Sequence, residues 1–260
     1  SLAFHTDAGI TRNDTAIGTL MIYSIPDLDS QKVFPDGVSR LANRDLADIV
    51  MTELVDDIRS NYDSTWTRRQ IMNAFYSEAA RPNFPSILLE LLSHQNFYEM
   101  KFELDPRFRF DVSRSIYKGM LKFLSAQYGF EYVVQPLPPT NFATELNQNG
   151  ELTLSWKAQI DSLEPSASAV KFILYTRQGD AGFDNGKLIE SDNIRLNDLK
   201  SGIIYSYKVT AVNSGGESFP SEILSVCWMK NSSEPILIVN GFDRISAPSS
   251  FESPTFLGFT

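Results

Sequence analysis

Two polar residues follow short apolar segments in the first half of the chain. His5 follows residues 2–4 (Leu-Ala-Phe), and Glu90 follows residues 87–89 (Ile-Leu-Leu). Apolar runs of this length predict buried strands, and the carboxyl ends of such strands carry the ligand crevices of open α/β sheets. An imidazole and a carboxylate brought together there have the chemistry of a metal ligand and a general base. Because the sequence holds only two histidines, we take His5 and Glu90 as the candidate site.

Composition excludes several classes of function. The chain has 260 residues, 42% of them hydrophobic, which predicts folded domains rather than disorder. A net charge of −9 argues against a nucleic-acid partner, since no basic patch would neutralise phosphates. No apolar run reaches the roughly 18 residues that a membrane span needs. A single cysteine, Cys227, excludes an internal disulfide framework and a cysteine zinc cluster.

The elements that must position His5 and Glu90 alternate between strands and helices. Residues 39–62 have apolar side chains at helical spacing, and Asp111 and Gly129 are candidate caps of another long helix. This alternation predicts an α/β domain over residues 1–134, with an open sheet and flanking helices. The predicted strands are 2–4, 18–23 and 86–89, and the predicted helices are 39–62, 73–80 and 111–128.

The character of the chain changes at the prolines of residues 135–139. Alternating apolar and polar residues at 151–156, 170–176 and 205–212 predict strands, and about seven short strands describe a β-sandwich over 135–230. Residues 236–240 form an apolar run that predicts a buried strand. We interpret 231–260 as the beginning of a further domain.

Several ordered motifs of the first 130 residues resemble the C-terminal two-thirds of the zinc-dependent N-acetylmuramoyl-L-alanine amidases. The resemblance implies that His5 is a zinc ligand and Glu90 the catalytic carboxylate, in hydrolysis of the muramoyl-L-alanine amide of peptidoglycan. The motifs that carry it are His5-Thr6-Asp7-Ala8, the strand after Gly18, Leu41-Ala42, the run from Pro85 through Glu90 to His94, and Leu104-Asp105-Pro106.

In that family the other two zinc ligands precede the matched segment, whereas this chain starts at Ser1. We therefore expect these residues to be metal-free and inactive by themselves, although the intact protein would use zinc. The missing strands would leave an exposed sheet edge that permits self-association.

The second domain resembles fibronectin type III modules over residues 137–228. Trp156 matches the core tryptophan of the second strand, and Leu199 and Tyr205 match the corner arrangement before Tyr207. The resemblance implies an immunoglobulin-like sandwich that serves as a spacer or interaction surface. Residues 236–244 resemble a further domain in multidomain surface proteins of Bacteroides-like bacteria, some of which are named xanthan lyases.

The leading hypothesis is a bacterial cell-wall hydrolase that is periplasmic, secreted or on the cell surface, with peptidoglycan or another surface glycan as partner. A non-catalytic, glycan-binding scaffold and a polysaccharide lyase are the alternatives. His5 is otherwise a strand-end histidine bonded to backbone, and Glu90 a carboxylate paired with Arg68 or Arg81. His94 is expected in an exposed turn.

Overall fold

The computed structural model divides into two compact units, Ser1–Phe130 with Gly241–Thr260, and Glu131–Asn240. Within the part that the structure describes, no helix is both long and apolar enough to cross a bilayer. The described residues are 1–9, 14–27, 30–231, 234, 236–239, 250–252 and 257–259.

The first unit contains a four-stranded mixed sheet in the order β1-β4-β2-β3. Strands β1 and β4 run parallel, as do β2 and β3, whereas β2 and β4 are antiparallel. In chain order, its elements are β1 (Leu2–Asp7), β2 (Thr19–Tyr23), α1 (Ala42–Asn61), β3 (Arg68–Asn73), α2 (Ser77–Ala80), β4 (Ile87–Ser93), α3 (Phe97–Leu104) and α4 (Pro106–Tyr128).

The two long helices supply the main core of this unit. The buried face of α1 packs with Met21, Leu89 and residues of α4 in one apolar cluster. Helices α1 and α4 approach closely at Gly119, where an added Cβ would lie 2.8 Å from Cα of Val50. A glycine in mid-helix lowers helix propensity, so its presence here is explained by this close contact.

A buried group of charges also joins the two long helices. The Lys118 ammonium of α4, with a side chain only 2% exposed, lies 2.9 Å from Glu53 Oε1 and 2.7 Å from Asp57 Oδ2 of α1. Lys122 pairs with the other oxygen of Glu53. Such a group is stable only when every charge is paired, because each charge loses its hydration on burial.

Helix ends account for one correct prediction and one error. Helix α4 ends at Gly129 as predicted, with the left-handed φ of 70° that glycine adopts readily. It begins at Pro106 rather than at Asp111, since the Asp105 side chain accepts a hydrogen bond from the Arg107 amide at 2.9 Å and caps the helix. Asp111 is inside the helix and accepts a hydrogen bond from the Tyr62 hydroxyl.

Two further local predictions are wrong. The helix predicted at 73–80 is reduced to the four residues of α2, and it follows strand β3, which the sequence analysis missed. The strand predicted to end at Leu89 continues through Glu90 to Ser93. A carboxylate is tolerated inside β4 because it projects from the face that the long helices do not cover.

The second unit consists of two antiparallel sheets around Trp156. The three predicted strands are present, and the Tyr205 hydroxyl accepts a hydrogen bond from the Lys200 amide at 3.2 Å, which closes the predicted corner. One sheet has the order β5-β6-β9, and the other has β11-β10-β7-β8 with β12 also paired to β10. The strands are β5 (Thr140–Leu146), β6 (Leu152–Lys157), β7 (Lys171–Gln178), β8 (Lys187–Ile189), β9 (Asn193–Leu196), β10 (Ile204–Asn213), β11 (Gly216–Glu217) and β12 (Leu224–Cys227).

The prediction of a buried strand at 236–240 is wrong for the residues that are described. Ile236, Leu237, Ile238 and Val239 are 75–89% exposed and pair with no strand among the described residues. Asn240 lies outside the described residues. A short hairpin follows, formed by β13 (Ser250–Glu252) and β14 (Leu257–Phe259). Whether 231–260 begins a further domain remains a prediction.

Candidate functional site

His5 and Glu90 occupy directly opposite positions on adjacent strands. Strands β1 and β4 are parallel, and their register pairs His5 with Glu90. Opposite residues of neighbouring strands project to the same face of a sheet. The structure therefore brings the two candidate residues together, although both lie inside their strands rather than at strand ends, where the sequence analysis had placed them.

The face that carries His5 and Glu90 differs from the face that packs on the long helices. Its apolar part is a small cluster of Leu20, Ile22 and Leu88. Leu20 of β2 lies opposite Glu90 on the second side of β4. Glu90 is the only half-buried residue in a strand whose other residues are all buried. The site is thus a carboxylate at the edge of a thin apolar patch, next to an exposed imidazole.

One carboxylate oxygen of Glu90 has no hydrogen-bond partner among the described residues. Its Oε2 atom is buried, and no described residue donates to it or pairs with it. Burying a carboxylate oxygen without a partner costs about 1–3 kcal/mol or more, and such orphaned groups are uncommon in folded proteins. Neither Arg68 nor Arg81 forms an ion pair with Glu90 in the described part of the chain, so the structural alternative proposed for this residue is not what the structure contains.

Burial raises the pKa of the Glu90 carboxyl above its ordinary value, and the negative charge of Asp7 raises it further. Electrostatic interactions with His5, Arg69 and His94 lower the pKa of Glu90 and so act in the opposite direction. A carboxylate with a raised pKa is a stronger base, which suits a group that accepts and returns a proton.

The same face also carries an ion pair between Asp7 and Arg69, which the sequence analysis missed. Nη1 of Arg69 on β3 lies 2.6 Å from Oδ2 of Asp7 on β1. The neighbouring Arg68 projects to the other face, where it contacts Asp48 of α1. Recognising β3 as a strand would have separated the two arginines onto opposite faces, because side chains alternate along a strand.

His94 contributes to the position of β1 rather than to the carboxylate site directly. It is exposed, as predicted, and its Nδ1 lies 3.1 Å from the Thr6 hydroxyl. Its backbone amide donates to the carbonyl of Asp7 at 3.1 Å. These two bonds connect the turn after β4 to the end of β1.

The described residues do not form a complete metal centre. They include no group of three or more His, Cys, Asp or Glu side chains able to hold an ion. A catalytic zinc ion normally has three protein ligands, and one imidazole at position 5 falls short of this number. Zinc in the intact protein stays a prediction.

Comparison with known proteins identifies the second unit. Residues 137–226 match the model of the fibronectin type III domain family. Similar solved structures include the twitchin kinase region from C. elegans (18% identity, TM-score 0.34, covering 39% of this chain and 18% of that one). A structure described as a myokine is similar at 20% identity (TM-score 0.31, covering 36% of this chain and 99% of that one). The FN1–FN3 domains of chicken CNTN1 are similar at 18% identity (TM-score 0.32, covering 38% and 33%).

The chain thus spans less than a fifth of the twitchin structure. No curated protein matches the chain. Residues 137–226 are a fibronectin type III module, built as the β-sandwich described above.

Proposed function

We propose that His5 and Glu90 belong to the active site of a bacterial N-acetylmuramoyl-L-alanine amidase that acts on peptidoglycan. The observation that carries this proposal is their direct opposition on β1 and β4, together with the buried oxygen of Glu90 to which no described residue donates. A substrate in the cell wall implies a protein that works outside the cytoplasmic membrane, in the periplasm, at the cell surface or after secretion.

In this proposal Glu90 is the general base. It accepts one proton from the attacking water as the water oxygen bonds to the amide carbon, and it returns that proton to the amine nitrogen as the carbon–nitrogen bond breaks. The raised pKa of Glu90 suits both transfers. Its apolar neighbours Leu20 and Leu88 limit the access of bulk water on one side.

His5 is assigned as one ligand of a zinc ion. Such an ion, if held by His5 and further donors, would supply Lewis-acid activation of water and of the amide carbonyl. Since the described residues supply too few ligands, the remaining donors would be the histidine and glutamate that the amidase resemblance places ahead of the matched segment in the intact protein. The fibronectin type III module is assigned the role of a spacer or interaction surface. One edge of β1 pairs with no strand among the described residues, and a second chain can add a strand there.

The test is cleavage of purified muropeptides by the natural full-length protein, with new amino groups as the readout. Glu90→Gln is expected to lower turnover by at least a hundredfold while leaving the fold intact, because the amide cannot accept the proton. Glu103→Gln is the matched control, since Glu103 of α3 also has a buried oxygen without a partner among the described residues. Equal turnover of the wild type and Glu90→Gln would refute the proposal, and binding of glycan with no cleavage by the wild type would favour the scaffold alternative.

A further inference from the structure

The end of β1 depends on a few bonds outside the sheet ladder. In the described part of the chain β1 pairs with β4 on one side only, and the register between them shifts between His5 and Asp7. Past this irregularity the strand is tied to the turn after β4 by the His94 amide, which donates to Asp7, and by the Ser93 hydroxyl, which donates to the Gly9 carbonyl. A one-sided strand with a shifted register needs such bonds to keep its last residues in place.

The side chain of Asp7 is fixed from two directions. Its Oδ1 atom accepts a hydrogen bond from the Gly9 amide at 3.0 Å, and its Oδ2 atom accepts one from Arg69 at 2.6 Å. Arg69 belongs to β3, which is separated from β1 by two strands. Strands are spaced about 4.8 Å apart, so this ion pair spans the whole face on which His5 and Glu90 lie.

We propose that Arg69 is a positioning residue of the site: through Asp7 it holds the end of β1 and keeps the His5 imidazole opposite Glu90. The effect of Arg69 on catalysis rests on the proposed function. Its effect on the order of β1 does not depend on that function. Arg69 needs to touch no substrate, since its effect passes through Asp7, two residues from His5.

The first experiment measures amide hydrogen exchange in the 260-residue chain. Arg69→Gln is expected to increase exchange at the β1 amides that pair with β4 by roughly two- to fivefold, the range that the loss of a half-exposed ion pair produces. Exchange in the interior of α1 should stay at the wild-type rate. Arg68→Gln is the matched control, because it removes the adjacent arginine from the opposite face, and it should leave β1 unchanged.

Three further outcomes complete this test. Arg69→Lys should restore most of the protection, and the double variant Asp7→Asn/Arg69→Gln should exchange no faster than the faster single variant, since both changes break one pair. The His5 ring proton resonance, identifiable because the chain has only two histidines, should shift in Arg69→Gln and return in Arg69→Lys. Unchanged β1 exchange in Arg69→Gln, or an equal rise throughout α1, would overturn the positioning role.

The second experiment measures muropeptide cleavage by the full-length protein. Arg69→Gln is expected to lower kcat about tenfold with KM within twofold of the wild-type value, and Arg69→Lys to recover part of kcat. A change in KM alone would contradict positioning and indicate direct substrate binding. The two proposals fail separately: an active Glu90→Gln variant refutes the amidase assignment, whereas unaltered β1 exchange in Arg69→Gln refutes the role of Arg69.

Discussion

The indole of Trp156 offers a quantitative test of how the fibronectin type III module is stabilised. Its side chain is 2% exposed, and its ring lies 5.5 Å from that of Phe172 and 6.4 Å from that of Phe142. Trp156→Ala removes the largest side chain of this core, and we expect it to lower the free energy of unfolding of the module by about 3–5 kcal/mol. The indole Nε1–H, however, is buried and has no acceptor among the described residues.

Trp156→Phe should therefore be mild, at about 1–2 kcal/mol, because it loses ring area but no hydrogen bond. Trp66 of the first unit is the matched contrast, since its Nε1 donates to the Thr19 hydroxyl at 2.9 Å and Trp66→Phe must break that buried bond. The measurement is native-state hydrogen exchange at β6 and β10 for Trp156, and at β2 for Trp66. A Trp156→Phe variant as unstable as Trp156→Ala, or an Ala variant with wild-type protection, would refute this reasoning.

Two other substitutions test the first unit. Gly119→Ala gains about 1 kcal/mol in helix propensity, but it places a methyl 2.8 Å from Cα of Val50, and such overpacking costs about 1–3 kcal/mol. We therefore expect urea unfolding to show a net loss of about 1 kcal/mol in stability. A gain in stability would contradict the close packing of the two helices. Glu99→Gln should destabilise by about 1–3 kcal/mol, because the Glu99 oxygens accept the amides of Gly18 and Ser93, both at 2.6 Å, and an NH₂ group cannot. Burial raises the pKa of Glu99 above its ordinary value of 4.5. The stabilisation linked to its proton is therefore present below pH 4.5 and is lost as pH rises through the folded-state pKa. Urea midpoints that change equally with pH in the wild type and in Glu99→Gln would contradict this expectation.

Patterns that depend on local spacing were predictable from the sequence. The apolar periodicity of α1, the glycine at the end of α4 and the alternation of β6 and β10 all follow from side chains that face one core. The pairing of His5 with Glu90 was predictable to the extent that each follows an apolar run. In these cases burial of one face requires apolar residues at a regular spacing, which is visible in the sequence.

Features that depend on distant partners were not predictable in the same way. Strand β3 reads Arg-Arg-Gln-Ile-Met-Asn, and its strand character comes from pairing with β2 rather than from an apolar pattern. Two other features could be predicted only if the strand order, with β1 beside β4, were known. They are the extension of β4 through Glu90 and the ion pair between Arg69 and Asp7. The apolar run at 236–239 shows the opposite limit, since its strand-like composition forms no strand where no described residue pairs with it.

The lysine at position 118 has a consequence for how the two long helices can move. Sliding α4 along α1 by about half of the 5.4 Å helical turn would take the Lys118 ammonium out of contact with Glu53 and Asp57 and leave buried charges without their partner. Intermediate alignments are therefore disfavoured, and the two long helices beneath the sheet keep one fixed alignment.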